Sequence, residues 1–425
     1  MSMQSYTSDG KVNETDVMEL LDKADLTYVQ RNESNVVSER TQKIQYADSP
    51  SYAPGSGEIV VNFQTGEDFI SFRDSTLRFL LAMTATSGAV LGANTFGGGS
   101  CLNLFQRVRL VSRSGTVISQ IDNANLLNYF KLKYSHSHAW RTQQGAHMLG
   151  ASYWDNGTEV KYTLPIVSDE TREFIVPMGD LISACNIKEL APSQLCRGLR
   201  LEILLAPTSE AFVSVAGNTG VASHAISGVQ CNLDSYRLSS GAFNELNKMS
   251  ASEGLFLQFV DYENSRFDKA SGTLSSSFEM RKVVSMGTSA MAVNRLATAA
   301  ASATADSLAS VATTSASAYN FRIGSLYLPV TQVAGVKQHY AQASYCLGKT
   351  RTGVELGVGS EEFKTAAVAC ADISRYWLEN SGIALNNSTS LTLAITVPTA
   401  ASTIDIFLQH NRAIKIYLQN IIKAD

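Results

Sequence analysis

From residue 57 onward the apolar positions recur mainly with the period of two that marks a β-strand with one buried face. In GEIVVNF, Ile59, Val61 and Phe63 fall on one face. In LCRGLRLEILLAP, Leu199, Leu201, Ile203 and Leu205 face one way, and Arg200 and Glu202 the other. STLRFLLAMTA carries little charge and predicts a strand buried on both faces. NLFQRVRLVSRSGTVI predicts a hairpin, with Ser114-Gly115 as its turn. IDNANLLNYFKLKY follows and suits a helix capped by Asp122 or Asn123. The polar, aromatic and turn-rich stretch 136–172 reads as an extended loop. EFIVPM then predicts a strand, and GDLISAC a short helix with Asp180 near its start.

The second half repeats this grammar. VQCNLDSYRL reads as a strand and GAFNELNKM as a helix. GLFLQFVDYE alternates through Leu255, Leu257 and Phe259. FEMRKVVSMGTSAMAV reads as one long β run, YNFRIGSLYLP as another ending at Pro329, and LTLAITVP as a third. The closing stretch alternates through Ile404, Ile406 and Leu408, then Ile414, Ile416 and Leu418. Each half thus holds about eight candidate strands, so the chain reads as all-β and duplicated. Between Ala297 and Ala318, nineteen of twenty-two residues are Ala, Ser or Thr, interrupted only by Asp306, Leu308 and Val311. Ser and Thr weaken helix there, and a loop between two strands is expected.

Residues 1–55 differ in kind. They are polar, with five basic residues against nine acidic ones, which is the whole net charge of −4. One helix is expected at Glu14–Asp25, burying Val17, Leu20 and Leu21 on a neighbouring subunit, and coil from there to Pro54. An acidic arm on a neutral body repels phosphate, so direct nucleic-acid binding is not expected. Charged residues make up 17% of the chain, below the usual value of about 25%. That deficit fits a surface covered in part by other subunits. No run of about 18 apolar residues is present, so no transmembrane helix is expected. The opening MSMQSYTSDG lacks the pattern of a secretory signal.

Candidate chemistry is sparse. Gly348-Lys349-Thr350 resembles the end of a phosphate-binding loop, but Ala343 stands where the first glycine should be. Gly97-Gly98-Gly99 lacks the dinucleotide spacing and reads as a flexible loop. His136 and His138 would share a strand face, yet no carboxylate or further histidine accompanies them. Cys101, Cys185, Cys196, Cys231, Cys346 and Cys370 are scattered beside apolar residues and read as buried free thiols. The sequons at Asn13, Asn32, Asn156, Asn386 and Asn387 read as chance matches. No nucleophile motif occurs. The expectation is therefore no catalytic residue, no cofactor and no metal, and a structural role rather than an enzymatic one.

Several segments together resemble the double jelly-roll major capsid proteins of double-stranded DNA viruses, in particular the polinton-like virus, adintovirus and virophage group. They are LFQRVRLVSRSGTVISQIDNANLLNYF, EFIVPMGDLISACNIKELAPSQLCRGLRLEILL, YNFRIGSLYLP and IDIFLQHNRAIKIYL with its central Arg412. The resemblance covers about residues 57–425 by order of elements, through diffuse motifs. It implies two consecutive eight-stranded jelly-roll barrels with short helices and long loops. The domains expected are an acidic arm at 1–55, a first jelly roll at 56–238 and a second at 239–425. It further implies a homotrimeric, pseudo-hexagonal capsomer of an icosahedral virion, localised in the capsid shell, with neighbouring capsomers, penton and minor capsid proteins as partners. Whether an internal membrane accompanies the shell stays open. The competing readings are another capsid component, such as a penton or minor jelly-roll protein, and a non-viral β-sandwich binding protein.

Overall fold

The computed structural model describes residues 37–85, 94–155, 158–164, 170–214, 220–296, 306–311, 314, 317–347, 358–363, 366–374, 382–386, 389–397, 400–417 and 421–424. The helix expected at Glu14–Asp25, Leu418 and the Gly348-Lys349-Thr350 segment lie outside them.

Sixteen strands build two units with the same order. In the first they are β1 (Val37–Tyr46), β2 (Glu58–Asn62), β3 (Phe69–Ala85), β4 (Phe105–Val111), β5 (Val117–Asp122), β6 (Thr171–Pro177), β7 (Arg200–Leu205) and β8 (Val221–Leu238). In the second they are β9 (Leu255–Lys269), β10 (Ser275–Met280), β11 (Val284–Leu296), β12 (Ala318–Ile323), β13 (Leu326–Ala334), β14 (Ala369–Asp372), β15 (Leu391–Thr396) and β16 (Ser402–Ile416). The first unit pairs β1-β8-β3-β6 in one sheet and β2-β7-β4-β5 in the other. The second pairs β9-β16-β11-β14 and β10-β15-β12-β13. Both follow the jelly-roll path, first strand beside last and second beside seventh, with every ladder antiparallel.

The period-two pattern explains the packing. Val61 pairs with Leu201, and Leu201 with Leu110 on its other side, all buried toward the opposite sheet. The outward face of the same ladder carries Glu202 opposite Arg109, joined at 2.8 Å, with Arg109 also 2.7 Å from Glu58. Glu202 is thereby nearly buried although it faces away from the core. One apolar core runs from the first barrel into Leu257, Phe259, Phe407 and Ile414 of the second, so the two units share a packed interface. A second core, with Met280, Tyr319, Phe321, Leu391 and Ile406, fills the second barrel. Three longer helices, α1 (Ala124–Ser135), α2 (Ser240–Ser252) and α3 (Gly335–Leu347), sit in the connections. Helix α2 lies between the two barrels in sequence and is capped by the Ser239 side chain.

Several expectations are corrected. The coil expected up to Pro54 is interrupted by β1, whose partner β8 supplies its hydrogen bonds. As an edge strand it is largely exposed, so it lacks the apolar alternation that would have marked it. FEMRKVVSMGTSAMAV is not one run: the chain leaves β10 at Met280 and enters β11 in the other sheet at Val284. YNFRIGSLYLP is a hairpin, turning at Gly324 with φ 60°, and Pro329 lies inside β13. Proline is tolerated there because β13 is a sheet edge. The loop at 136–172 contains a short helix at His138–Trp140, a wide π-type helix at Arg141–Leu149 and a small hairpin joining Tyr153–Asp155 to Thr158–Val160. Asn123 precedes α1 as expected, but in a left-handed conformation and without a side-chain cap.

Candidate functional site: the barrel junction and the exposed edges

The long connections of both barrels meet at a buried charged cluster. Arg141 opens the π-type helix between β5 and β6 and is fully buried. Its Nη2 and Nη1 donate to Oε1 and Oε2 of Glu362 at 2.8 and 3.0 Å. Glu362 comes from the connection between β13 and β14, the corresponding loop of the other barrel. Arg141 also donates to the Ser152 carbonyl at 2.9 Å. Lys133 of α1, equally buried, lies 3.7 Å from Glu362 and 3.9 Å from Glu159. Burial pulls its ammonium below the ordinary lysine range, while those two carboxylates resist the shift.

The Tyr129 hydroxyl accepts from Lys133 at 3.3 Å and donates to Asp306 Oδ2 at 3.1 Å. Burial first, then the Asp306 charge, pushes this phenol well above its ordinary value. The backbone N–H of Gly98 donates to the same Asp306 oxygen at 2.7 Å. Gly98 lies between β3 and β4 and Asp306 between β11 and β12, so these loops also correspond. A methyl group at Gly98 would come within 2.5 Å of the Tyr129 hydroxyl and 2.8 Å of Lys133 Nζ. The glycine run expected to be a flexible loop is therefore a close-packed contact.

A second polar seam ties the strands themselves. Arg412 of β16 donates to Asp261 of β9 at 2.5 Å and to the Ile118 carbonyl of β5 at 3.2 Å. Ser119 of β5 donates to Asp261 at 2.7 Å. Burial raises the Asp261 carboxyl to about 6, against the pull of Arg412 and Ser119. Asn123 bonds Asn264 at 2.8 Å and accepts from Arg266 at 2.8 Å. Arg266 and Arg295 share the fully buried Asp405 at 3.0 and 2.8 Å. Such buried pairs add little net stability, but breaking one leaves an uncompensated charge. The bonds that cross from one barrel to the other are those of Ile118, Ser119 and Asn123.

Two sheet edges present apolar side chains to solvent. On β13, Leu326 and Tyr327 are about half exposed and Val330 is 82% exposed. On β1, Val37, Ile44 and Tyr46 are exposed. Open edges with apolar side chains are sites where other chains can add.

The residues singled out from the sequence do not converge. His136 Nε2 lies 3.0 Å from Asp180 Oδ1 and its ring stacks on Trp140, whereas His138 contacts the Trp154 carbonyl at 2.9 Å. Among the described residues, no group of His, Cys, Asp or Glu could hold a metal ion. All six cysteines are buried free thiols, and burial pushes Cys185 up to about 12. That leaves it almost no thiolate, the form a nucleophile needs. The sequence reading missed Arg141, Lys133 and Glu362. Asp306 did leave a signal, as the one charge in the Ala/Ser/Thr run.

No family model matches the sequence, and no curated protein matches it. Solved structures do. The Faustovirus major capsid protein aligns with TM-score 0.64 at 11% identity, covering 96% of this chain and 95% of its own. A chain of the Sputnik virophage aligns with TM-score 0.59 at 10% identity, covering 95% and 92%. A chain of the PBCV-1 virus capsid aligns with TM-score 0.58 at 12% identity, covering 94% and 99%. Likeness at this identity establishes the fold: the chain is a double jelly roll over nearly its whole length.

Proposed function

We propose that this chain is a major capsid protein, the repeated structural unit of an icosahedral shell of a double-stranded DNA virus. The observation that carries the reading is the doubled strand order of this chain, together with its structural likeness to the Faustovirus major capsid protein over nearly the full length of both. Two similar barrels held side by side by a buried charged cluster give one chain two of six similar lobes. Three copies then make a pseudo-hexagonal homotrimer that tiles a shell with its neighbours, penton and minor capsid proteins closing the remaining positions. The low charge content and the apolar edges at β1 and β13 support broad contacts between copies. The role is structural and not enzymatic, and its place is the virion.

Light scattering on the purified full-length chain tests the reading. The expected mass is about three times 45.9 kDa, or that of larger assemblies, with particles of pseudo-hexagonal outline in negative stain. A monomer at micromolar concentration under every salt condition overturns it.

A further inference from the structure

An open cavity of about 770 Å³ lies beside the π-type helix Arg141–Leu149, linked to the junction cluster through Glu159, which faces both Lys133 and Lys161. Its size lies within the range of small-molecule sites, roughly 300–1,000 Å³. One wall is the π-type helix, whose Gly150 N–H reaches back to the Gly145 carbonyl in place of the usual i−4 partner. Such wide turns are rare and concentrate at functional sites. The opposite wall is the small hairpin and the strand that follows, through Tyr153, Lys161, Tyr162 and Arg172.

The lining chemistry is one-sided. Among the described residues that line it, the ionisable members other than the two tyrosines are His147, Lys161 and Arg172, with no carboxylate. Glu159 and Glu170 hold Lys161 and Arg172 at 3.3 and 3.0 Å from outside the lining, which orients the two cations. Tyr153 and Tyr162 offer rings with an apolar face and a hydroxyl tip, the Tyr162 ring being braced edge-on by Phe174. Gln143 and Gln144 are exposed on the π-type helix and bring amides able both to donate and to accept.

We propose that this cavity binds a saccharide carrying a carboxylate, such as the acidic terminal sugar of a glycan. The tyrosine rings would cover the C–H face of the sugar, the glutamine amides its hydroxyls, and Lys161 and Arg172 its carboxylate. A neutral sugar lacks the charge that the lysine and arginine select, and a small anion alone lacks the face that the rings select. Binding would be a property of the single chain, so its failure leaves the shell-forming role untouched.

Saturation-transfer NMR on the full-length protein, with sialyllactose, lactose and acetate as probes, tests this. Sialyllactose should show saturable transfer, with lactose at least about ten-fold weaker and acetate silent. Lys161→Gln and Gln143→Ala, both at exposed positions, should each weaken sialyllactose at least about three-fold with an unchanged circular dichroism spectrum. Equal binding of lactose, transfer to acetate, no binding of any probe, or full binding retained by both variants overturns the proposal.

Discussion

Arg141 and Glu362 meet through two parallel hydrogen bonds of 2.8 and 3.0 Å although 221 residues separate them in the chain. Each side chain is 2% exposed, and each belongs to the corresponding loop of a different barrel. The carboxylate also faces Lys133 at 3.7 Å, so one anion serves two buried cations.

Removing that anion should therefore be costlier than removing one of its partners. Glu362→Gln is expected to lower unfolding free energy by about 3–5 kcal/mol, and Arg141→Gln by less, because Lys133 still faces the carboxylate. Urea denaturation of both variants and of the double variant measures the coupling. Equal losses in the two single variants would show that Lys133 contributes nothing.

His224 gives the stability a dependence on pH. Its ring is buried and edge-on to Phe212, its Nε2 has no hydrogen-bond partner, and burial holds its pKa down at about 4. The unfolded chain, with an ordinary value near 6.5, binds the proton more readily. Stability from this group is thus complete above about pH 6.5 and is lost as pH falls toward about 4, by up to about 3 kcal/mol. His224→Gln should flatten the slope between those limits, read from urea midpoints at pH 7 and pH 4.5.

The glycines divide by what surrounds them. Gly98→Ala would drive a methyl group against Tyr129 and Lys133 and is expected to cost about 1–3 kcal/mol. Gly241→Ala, in α2 with nothing within 4 Å, should leave stability unchanged or raise it by about 0.5–1 kcal/mol. Thermal melts of the two variants should shift in opposite directions or differ by several degrees.

Strand β1 sets a limit on truncation. A deletion of residues 1–36 leaves every described strand in place, whereas one of residues 1–50 removes β1 and the bidentate Arg40–Asp234 pair. The longer one should melt markedly lower and expose the edge of β8. Matching melting curves for the two would mean that β1 is dispensable.

On the β13 edge, Val330→Lys changes a side chain that is 82% exposed and should alter unfolding free energy by no more than about 0.5 kcal/mol. Under the shell-forming role it should nevertheless reduce assembly, seen as fewer particles in negative stain at equal protein concentration. Unchanged assembly would show that copies do not meet at this edge.

The strands with one solvated and one buried face were legible in the sequence, because alternation such as Leu199, Leu201, Ile203 and Leu205 is a local record of which side meets the core. The hairpin at Gly115, helices α1 and α2 and the doubling of the strand grammar were legible for the same reason: turn residues and period act within a few neighbours. The candidate site was not. Arg141, Lys133 and Glu362 carry no local pattern, since a buried cation and its carboxylate need only meet in space. β1 was hidden because its pairing comes from a strand almost two hundred residues away and its side chains remain in water. What only the tertiary structure decided is which loops of one barrel lock onto the other. A single shared carboxylate becomes favourable there only once two cations, distant in sequence, have been carried out of water beside it.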